Sequence, residues 1–132
     1  MLTGRCQCGA IRYEASGDPA YSALCHCQDC RASAGAPMVG WALFPEDAVT
    51  IEGEAVRYQS SENATRHFCG TCGTGLFYTN PVVFPGAIDI QTATLNDPDA
   101  LPPQAQIQMA EALPWVAKLH DVPAFDRYPE GP

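Results

Sequence analysis

Thr65-Arg66-His67-Phe68-Cys69-Gly70-Thr71-Cys72-Gly73-Thr74-Gly75-Leu76-Phe77-Tyr78-Thr79 reads as two short β-rich runs, 65–69 and 75–79, joined through a Cys-x-x-Cys-Gly turn. Threonine and aromatic residues fit a pleated, half-buried surface. The spacing of Cys69 and Cys72 is that of a metal knuckle, which brings two thiolates onto one tetrahedral ion. Gly70 and Gly73 are expected to relieve the backbone of that turn. Taken alone, such a pair reads equally as a redox couple. Two further clusters, Cys6-Gln7-Cys8-Gly9 and Cys25-His26-Cys27-Gln28-Asp29-Cys30, bring the cysteines to seven, an odd number that disulfides cannot absorb. The expectation is therefore zinc rather than disulfides.

Working outward, β-rich or alternating runs recur at 10–15, 37–44, 55–59, 87–94 and 105–109, and Ile11 and Tyr13 against Arg12 and Glu14 show the alternation. Turn residues bound them, as in Ser16-Gly17-Asp18-Pro19 and Asn96-Asp97-Pro98. The best helical candidate is short, 27–34. Many short strands with turn signals predict an all-β sandwich or open barrel. The tail 113–132, with four prolines, reads as irregular chain wrapping the sheet. At 132 residues the chain is expected to be a single domain, since domains commonly run to about 100–150 residues.

Seven Lys and Arg stand against fifteen Asp and Glu, a formal charge of −8. That balance argues against a nucleic-acid partner, whose phosphates need clustered basic side chains. No run of about 18 apolar residues is present, so no membrane span is expected. The opening Met1-Leu2-Thr3-Gly4-Arg5-Cys6 lacks the apolar core of a secretory signal, which predicts a cytoplasmic chain with reduced thiols.

The middle cluster places three thiolates within six residues and can cap one face of an ion by itself. Cys6, Cys8, Cys69 and Cys72 then remain to join the first strand to a distant hairpin. Residues two apart in a strand lie about 6–7 Å apart, so Cys6-x-Cys8 needs a bend, which Gly9 eases. One closed tetrahedron and one open three-thiolate site follow; closed sites are structural and open ones do chemistry or bind ligands. One zinc ribbon with three spare cysteines is the other division. Three thiolates on Zn²⁺ carry a net charge of −1, a weak Lewis acid suited to binding an exogenous thiolate rather than to acidifying water.

Gly4-Arg5-Cys6-Gln7-Cys8-Gly9-Ala10-Ile11-Arg12-Tyr13 resembles the opening of the glutathione-dependent formaldehyde-activating enzyme (GFA) family. The likeness continues in Cys25-His26-Cys27-Gln28-Asp29-Cys30-Arg31, Phe68-Cys69-Gly70-Thr71-Cys72-Gly73-Thr74, Ala93-Thr94-Leu95-Asn96-Asp97-Pro98 and Pro114-Trp115-Val116. The resemblance implies a mainly β, Mss4-like β-tent of short antiparallel strands with zinc-binding loops, a CENP-V/GFA-type domain over 1–132. It also implies two Zn²⁺ per chain, a structural one at Cys6, Cys8, Cys69 and Cys72 and a labile catalytic one at Cys25, Cys27 and Cys30. The implied activity is carbon–sulfur lyase chemistry, joining glutathione to formaldehyde as S-hydroxymethylglutathione. The chain departs from the longer family enzymes in length, and at Gln106, where a histidine is expected.

The resulting mechanism has a small thiol lose its proton at the three-cysteine site and attack an aldehyde carbon. His26 is a candidate proton donor, or points away from its metal-facing neighbours. Arg31 is a candidate partner for a substrate carboxylate. His67 reads as a packing residue, His120 has no role, and Asp29 and Gln28 read as surface. Trp41, Trp115, Phe44, Phe68 and Phe77 read as core, with Trp41 also able to line a cleft. Two rival functions remain: a non-catalytic zinc-stabilised protein-binding module, which requires a fourth protein ligand such as His26 or His67, and a thiol-based redox or metal sensor.

Overall fold

The computed structural model describes residues 1–129, and the fold is mainly β. Strands β1 (Leu2–Arg5) and β2 (Arg12–Ala15) pair with β5 (Val49–Glu52) in a small antiparallel sheet ordered β1-β2-β5. The larger sheet contains β3 (Tyr21–Cys25), β4 (Val39–Pro45), β6 (Val56–Gln59), β7 (Thr65–Phe68), β8 (Gly75–Thr79), β9 (Ala87–Gln91) and β10 (Ala105–Ile107). Its order is β10-β3-β4-β9-β8-β7-β6, antiparallel except where β10 runs parallel to β3. One helix, α1 (Gln28–Ala34), follows β3.

Strand β4 shows how the two faces of the large sheet are divided. Ala42 and Phe44 join Ile88 and Ile90 of β9 in the main core, where they meet Ile11, Tyr13 and Ala15 from β2 and its approach. Tyr13 packs edge-on to Phe77, with ring centroids 5.3 Å apart, and its hydroxyl lies 2.7 Å from Thr94 Oγ1. Each such fully buried side chain contributes roughly 1.5–3 kcal/mol of burial. Val39 and Trp41 have the other parity and pack with Cys25 and Cys30 in a second cluster on the opposite face. The sheet thus carries its structural core on one face and its chemistry on the other.

Register extends that second face across the sheet. Tyr21 lies opposite Leu43, Leu43 opposite Asp89, Asp89 opposite Tyr78, and Tyr78 opposite Arg66. One row thereby crosses β3, β4, β9, β8 and β7.

The runs expected at 10–15, 37–44, 55–59, 65–69, 75–79 and 105–109 each contain a strand, and 27–34 contains α1. The run at 87–94 ends as strand at Gln91 and continues as a 3-10 turn, Thr92–Thr94. Strands β1, β3 and β5 were not signalled. In β3 the reason is physical: Ser22, Ala23 and Cys25 are all buried, so alternation is lost. In the tail, Pro114–Asp121 forms 3-10 turns kinked at Lys118, and residues 130–132 lie outside the described residues. Trp115 is 51% exposed and does not belong to the core, while Phe68 is half-buried. No helix among the described residues is long and apolar enough to cross a membrane.

Candidate metal and thiol centre

The seven sulfurs fall into two groups, Cys6, Cys8, Cys69 and Cys72 in one and Cys25, Cys27 and Cys30 in the other, each with its ligand atoms within 4.8 Å of one another. The four-cysteine group joins the sheets, because Cys6 and Cys8 lie in the β1–β2 turn and Cys69 and Cys72 in the β7–β8 turn. Both turns are closed by glycine at positive φ. Gly9 (φ +80°) donates its N–H to Cys6 O, and Gly73 (φ +80°) donates to Cys69 O. Gly70 acts differently: its φ is not positive, and a Cβ there would meet Val56 Cγ2 at 2.9 Å.

A zinc–sulfur bond of about 2.3 Å makes the edge of a ZnS₄ tetrahedron about 3.8 Å. Cys6 Sγ lies 3.7 Å from Cys8 Sγ, and Cys8 Sγ lies 3.8 Å from Cys69 Sγ. The donor set therefore fits zinc in both softness and spacing. The Thr74 hydroxyl, 3.2 Å from Cys72 Sγ, draws that thiol's pKa down, while the neighbouring sulfurs help push Cys8 up, so the four do not all ionise until a metal replaces the remaining protons.

The three-cysteine group sits where β3 enters α1. Cys27 is the helix N-cap, and its Sγ accepts the Cys30 N–H at 3.3 Å. Cys25 and Cys30 are buried against Val39 and Trp41. Without a cation, burial pushes the Cys25 thiol up to about 12 and raises Cys27, so a divalent ion binding here must displace their protons. Among the described residues no histidine, carboxylate or fourth cysteine joins it. Instead it opens onto a cavity of about 510 Å³ walled by Trp41, Tyr78, Tyr21 and Phe84.

Arg66 is the cation of this cavity. It is 9% exposed, its Nη2 donates to Cys30 Sγ at 3.7 Å, and its guanidinium lies over the Tyr78 ring, 5.2 Å from the centroid. Arg31, the expected carboxylate partner, lies outside this cavity and donates Nε to His26 O at 3.3 Å. His26 likewise turns away: it is fully buried, and its Nε2–H donates to Gln106 Oε1 at 2.9 Å. Glutamine at 106 thus retains a polar role where histidine was expected. His67 Nε2 bonds Thr79 Oγ1 at 3.0 Å, away from the three sulfurs. Asp29 and Gln28 line the cavity from exposed positions, and Trp41 lines it too. His120 is exposed beside Asp121.

Tyr21, Asp89 and Arg66 were not singled out from sequence. The signal available was a charged residue inside an apolar run, Ile88-Asp89-Ile90, on the face opposite the core isoleucines. Burial raises the Asp89 carboxyl from 3.8 to about 6. A carboxyl that binds its proton more tightly folded than unfolded stabilises the fold below about pH 4, and that contribution is lost as pH rises through about 6. Asp89→Asn is therefore expected to raise stability at pH 7.5 by about 1–3 kcal/mol, with the gain vanishing towards pH 4 in thermal melts.

A mainly β scaffold that gathers its cysteine sulfurs into groups of four and three defines a protein equipped to hold soft metal ions. The chain belongs to the glutathione-dependent formaldehyde-activating enzyme family, whose profile matches residues 1–111. An uncharacterized lyase of Schizosaccharomyces pombe is 34% identical over 79 residues, 58% of this chain and 58% of that protein. The chain thus spans little more than half the length of that relative. A Halomonas elongata protein, named provisionally a glutathione-dependent formaldehyde-activating enzyme, is 29% identical over 128 residues, covering 88% of this chain and 80% of that one. A Rhodobacter sphaeroides crystal structure superposes with a TM-score of 0.64 at 24% identity, covering 79% of this chain and 98% of the other, and shares the fold.

Proposed function

We propose that this chain is a zinc-dependent carbon–sulfur lyase that adds a small, glutathione-like thiol to an aldehyde such as formaldehyde, in a reducing compartment such as the cytoplasm. The reading is carried by the asymmetry between four sulfurs closed around one point and three sulfurs at the wall of a cavity. Cys6, Cys8, Cys69 and Cys72 would hold a structural zinc, and Cys25, Cys27 and Cys30 a catalytic one. Zinc held by the trio would supply Lewis acidity that lowers the pKa of a thiol substrate.

The chain's own residues supply the rest. The Arg66 guanidinium at Cys30 would offset the negative charge of three metal-bound thiolates and of an incoming thiolate substrate. The cavity brings thiol and aldehyde together, which converts a bimolecular encounter into a positioned one. A C–S bond forms, the carbonyl π pair moves to oxygen, and the thiol proton ends on that oxygen. The product is a hemithioacetal, an S-hydroxymethyl adduct when the aldehyde is formaldehyde, and the reverse sequence cleaves it.

Cobalt substitution tests this. Two cobalt ions per chain are expected, with one spectrum moving towards four-sulfur coordination as a thiol is added. Two ions whose spectra no thiol alters would mean that both sites are closed, and the zinc-stabilised binding module would replace the enzyme.

A further inference from the structure

We propose that the cavity beside Cys25, Cys27 and Cys30 selects a thiol carrying an ammonium group, which the Asp89 carboxylate receives at the aromatic wall formed by Tyr21 and Phe84. The proposal rests on the thiol-binding reading above and names its substrate class.

Asp89 is 4% exposed and lines the cavity. Its two oxygens lie 3.0 and 2.9 Å from the Tyr21 hydroxyl, which has a single proton to share between them. An ionised carboxylate offers about four acceptor positions, so most of its capacity is unused. Among the described residues no cation forms a salt bridge with it. A buried carboxylate held this way is costly unless a cation or further donors complete it. Burial lifts its pKa to about 6, so it is largely ionised at neutral pH.

The surroundings suit a cation. Tyr21 and Phe84 pack against each other, centroids 6.3 Å apart, as do Trp41 and Tyr78 at 6.0 Å, and both pairs wall the cavity. Aromatic faces attract ammonium groups, most strongly where water is excluded. Charge points the same way: among the described residues Asp29, Asp89 and Glu111 line the cavity against Arg66 alone, whose Nη2 is taken by Cys30 and whose face lies over Tyr78, leaving its buried Nε unpartnered. A chain of net charge −8 adds no compensating field. Glutathione meets this requirement through its one ammonium but brings two carboxylates with it, whereas a simple aminothiol meets it without added negative charge.

The test is a charge series on the cobalt-loaded protein. ω-Aminoalkanethiols of two to six carbons are titrated against ω-hydroxy and ω-carboxylate thiols of equal length, and the dissociation constant is read from the cobalt spectrum. At the length that spans from the sulfurs to Asp89, the amine should bind about tenfold more tightly than the alcohol. The carboxylate should bind most weakly. Asp89→Asn should erase the preference for the amine while leaving the alcohol's affinity within about twofold. Carboxylates binding as tightly as amines at every length overturn the proposal on the wild-type protein alone. So does an Asn variant that keeps the preference. If no thiol of any charge alters the spectrum, the thiol-binding reading falls and this proposal falls with it. If thiols bind irrespective of charge, only this proposal falls.

Discussion

Cys69→Ser is expected to leave the chain without a cooperative folded state, and far-UV circular dichroism with a zinc count should show both losses together. Cys69 is 2% exposed and Cys6 fully buried, and both belong to the main core rather than to a surface loop. Serine there shortens the ligand, replaces a soft donor with a hard one and leaves a hydroxyl among apolar neighbours. The group also joins the small sheet to the large one, since the contributing turns belong to different sheets. Structural zinc in small peptides contributes about 10–16 kcal/mol of apparent binding energy, against a total stability of about 5–15 kcal/mol for a typical domain. A ligand deletion of that size has no reserve to draw on. A chelator strong enough to strip this group should produce the same unfolded chain. A Cys69→Ser protein that melts cooperatively within a few degrees of wild type would refute a closed metal clip between the sheets.

What the sequence made legible follows from distance along the chain. Metal knuckles are local: Cys69 and Cys72 are three apart, Cys25 to Cys30 spans six residues, and Gly9 and Gly73 mark the turns that need positive φ. The helix after Cys27 was legible for the same reason. Pairing Cys6 and Cys8 with Cys69 and Cys72 needed only elimination, once the middle cluster was seen to be self-sufficient. The cavity was not legible, because Tyr21, Asp89 and Arg66 meet through cross-strand register. Tyr21 and Asp89 are 68 residues apart, and alternation tells which face a residue takes but not which strands become neighbours. β3 was hidden by burial on both faces. Arg31 was singled out because it follows the cysteines in sequence, whereas Arg66 reaches them from β7 in space. Trp115 misled in the opposite direction, since a large apolar residue in a proline-rich tail had no strand to carry it inward.

Cys27→Ser is expected to take thiol–aldehyde turnover to the uncatalysed background while leaving the fold intact, and this separates the two cysteine groups more sharply than any deletion among the four. Cys27 is the least buried of the trio, whereas Cys25 and Cys30 are packed against Val39 and Trp41, so altering those would confound chemistry with packing. Its second task is to cap α1 through Sγ, and serine is itself a favoured N-cap. Serine therefore keeps the cap and loses the soft ligand; alanine loses both and should cost about 1 kcal/mol more. Even residues that only support a metal ligand cost about 10–100-fold when replaced, so loss of a ligand itself should exceed that range. Melting curves should be compared with wild type loaded at one zinc per chain, which removes the stabilisation contributed by the second ion. Zinc content should fall from two per chain to one, and added thiol should no longer alter the cobalt spectrum. If Cys27→Ser kept both ions and its turnover, the trio would not be the reacting centre. If it unfolded while Cys27→Ala did so no more readily, the trio would be a second structural clip, because the cap would then account for none of the loss.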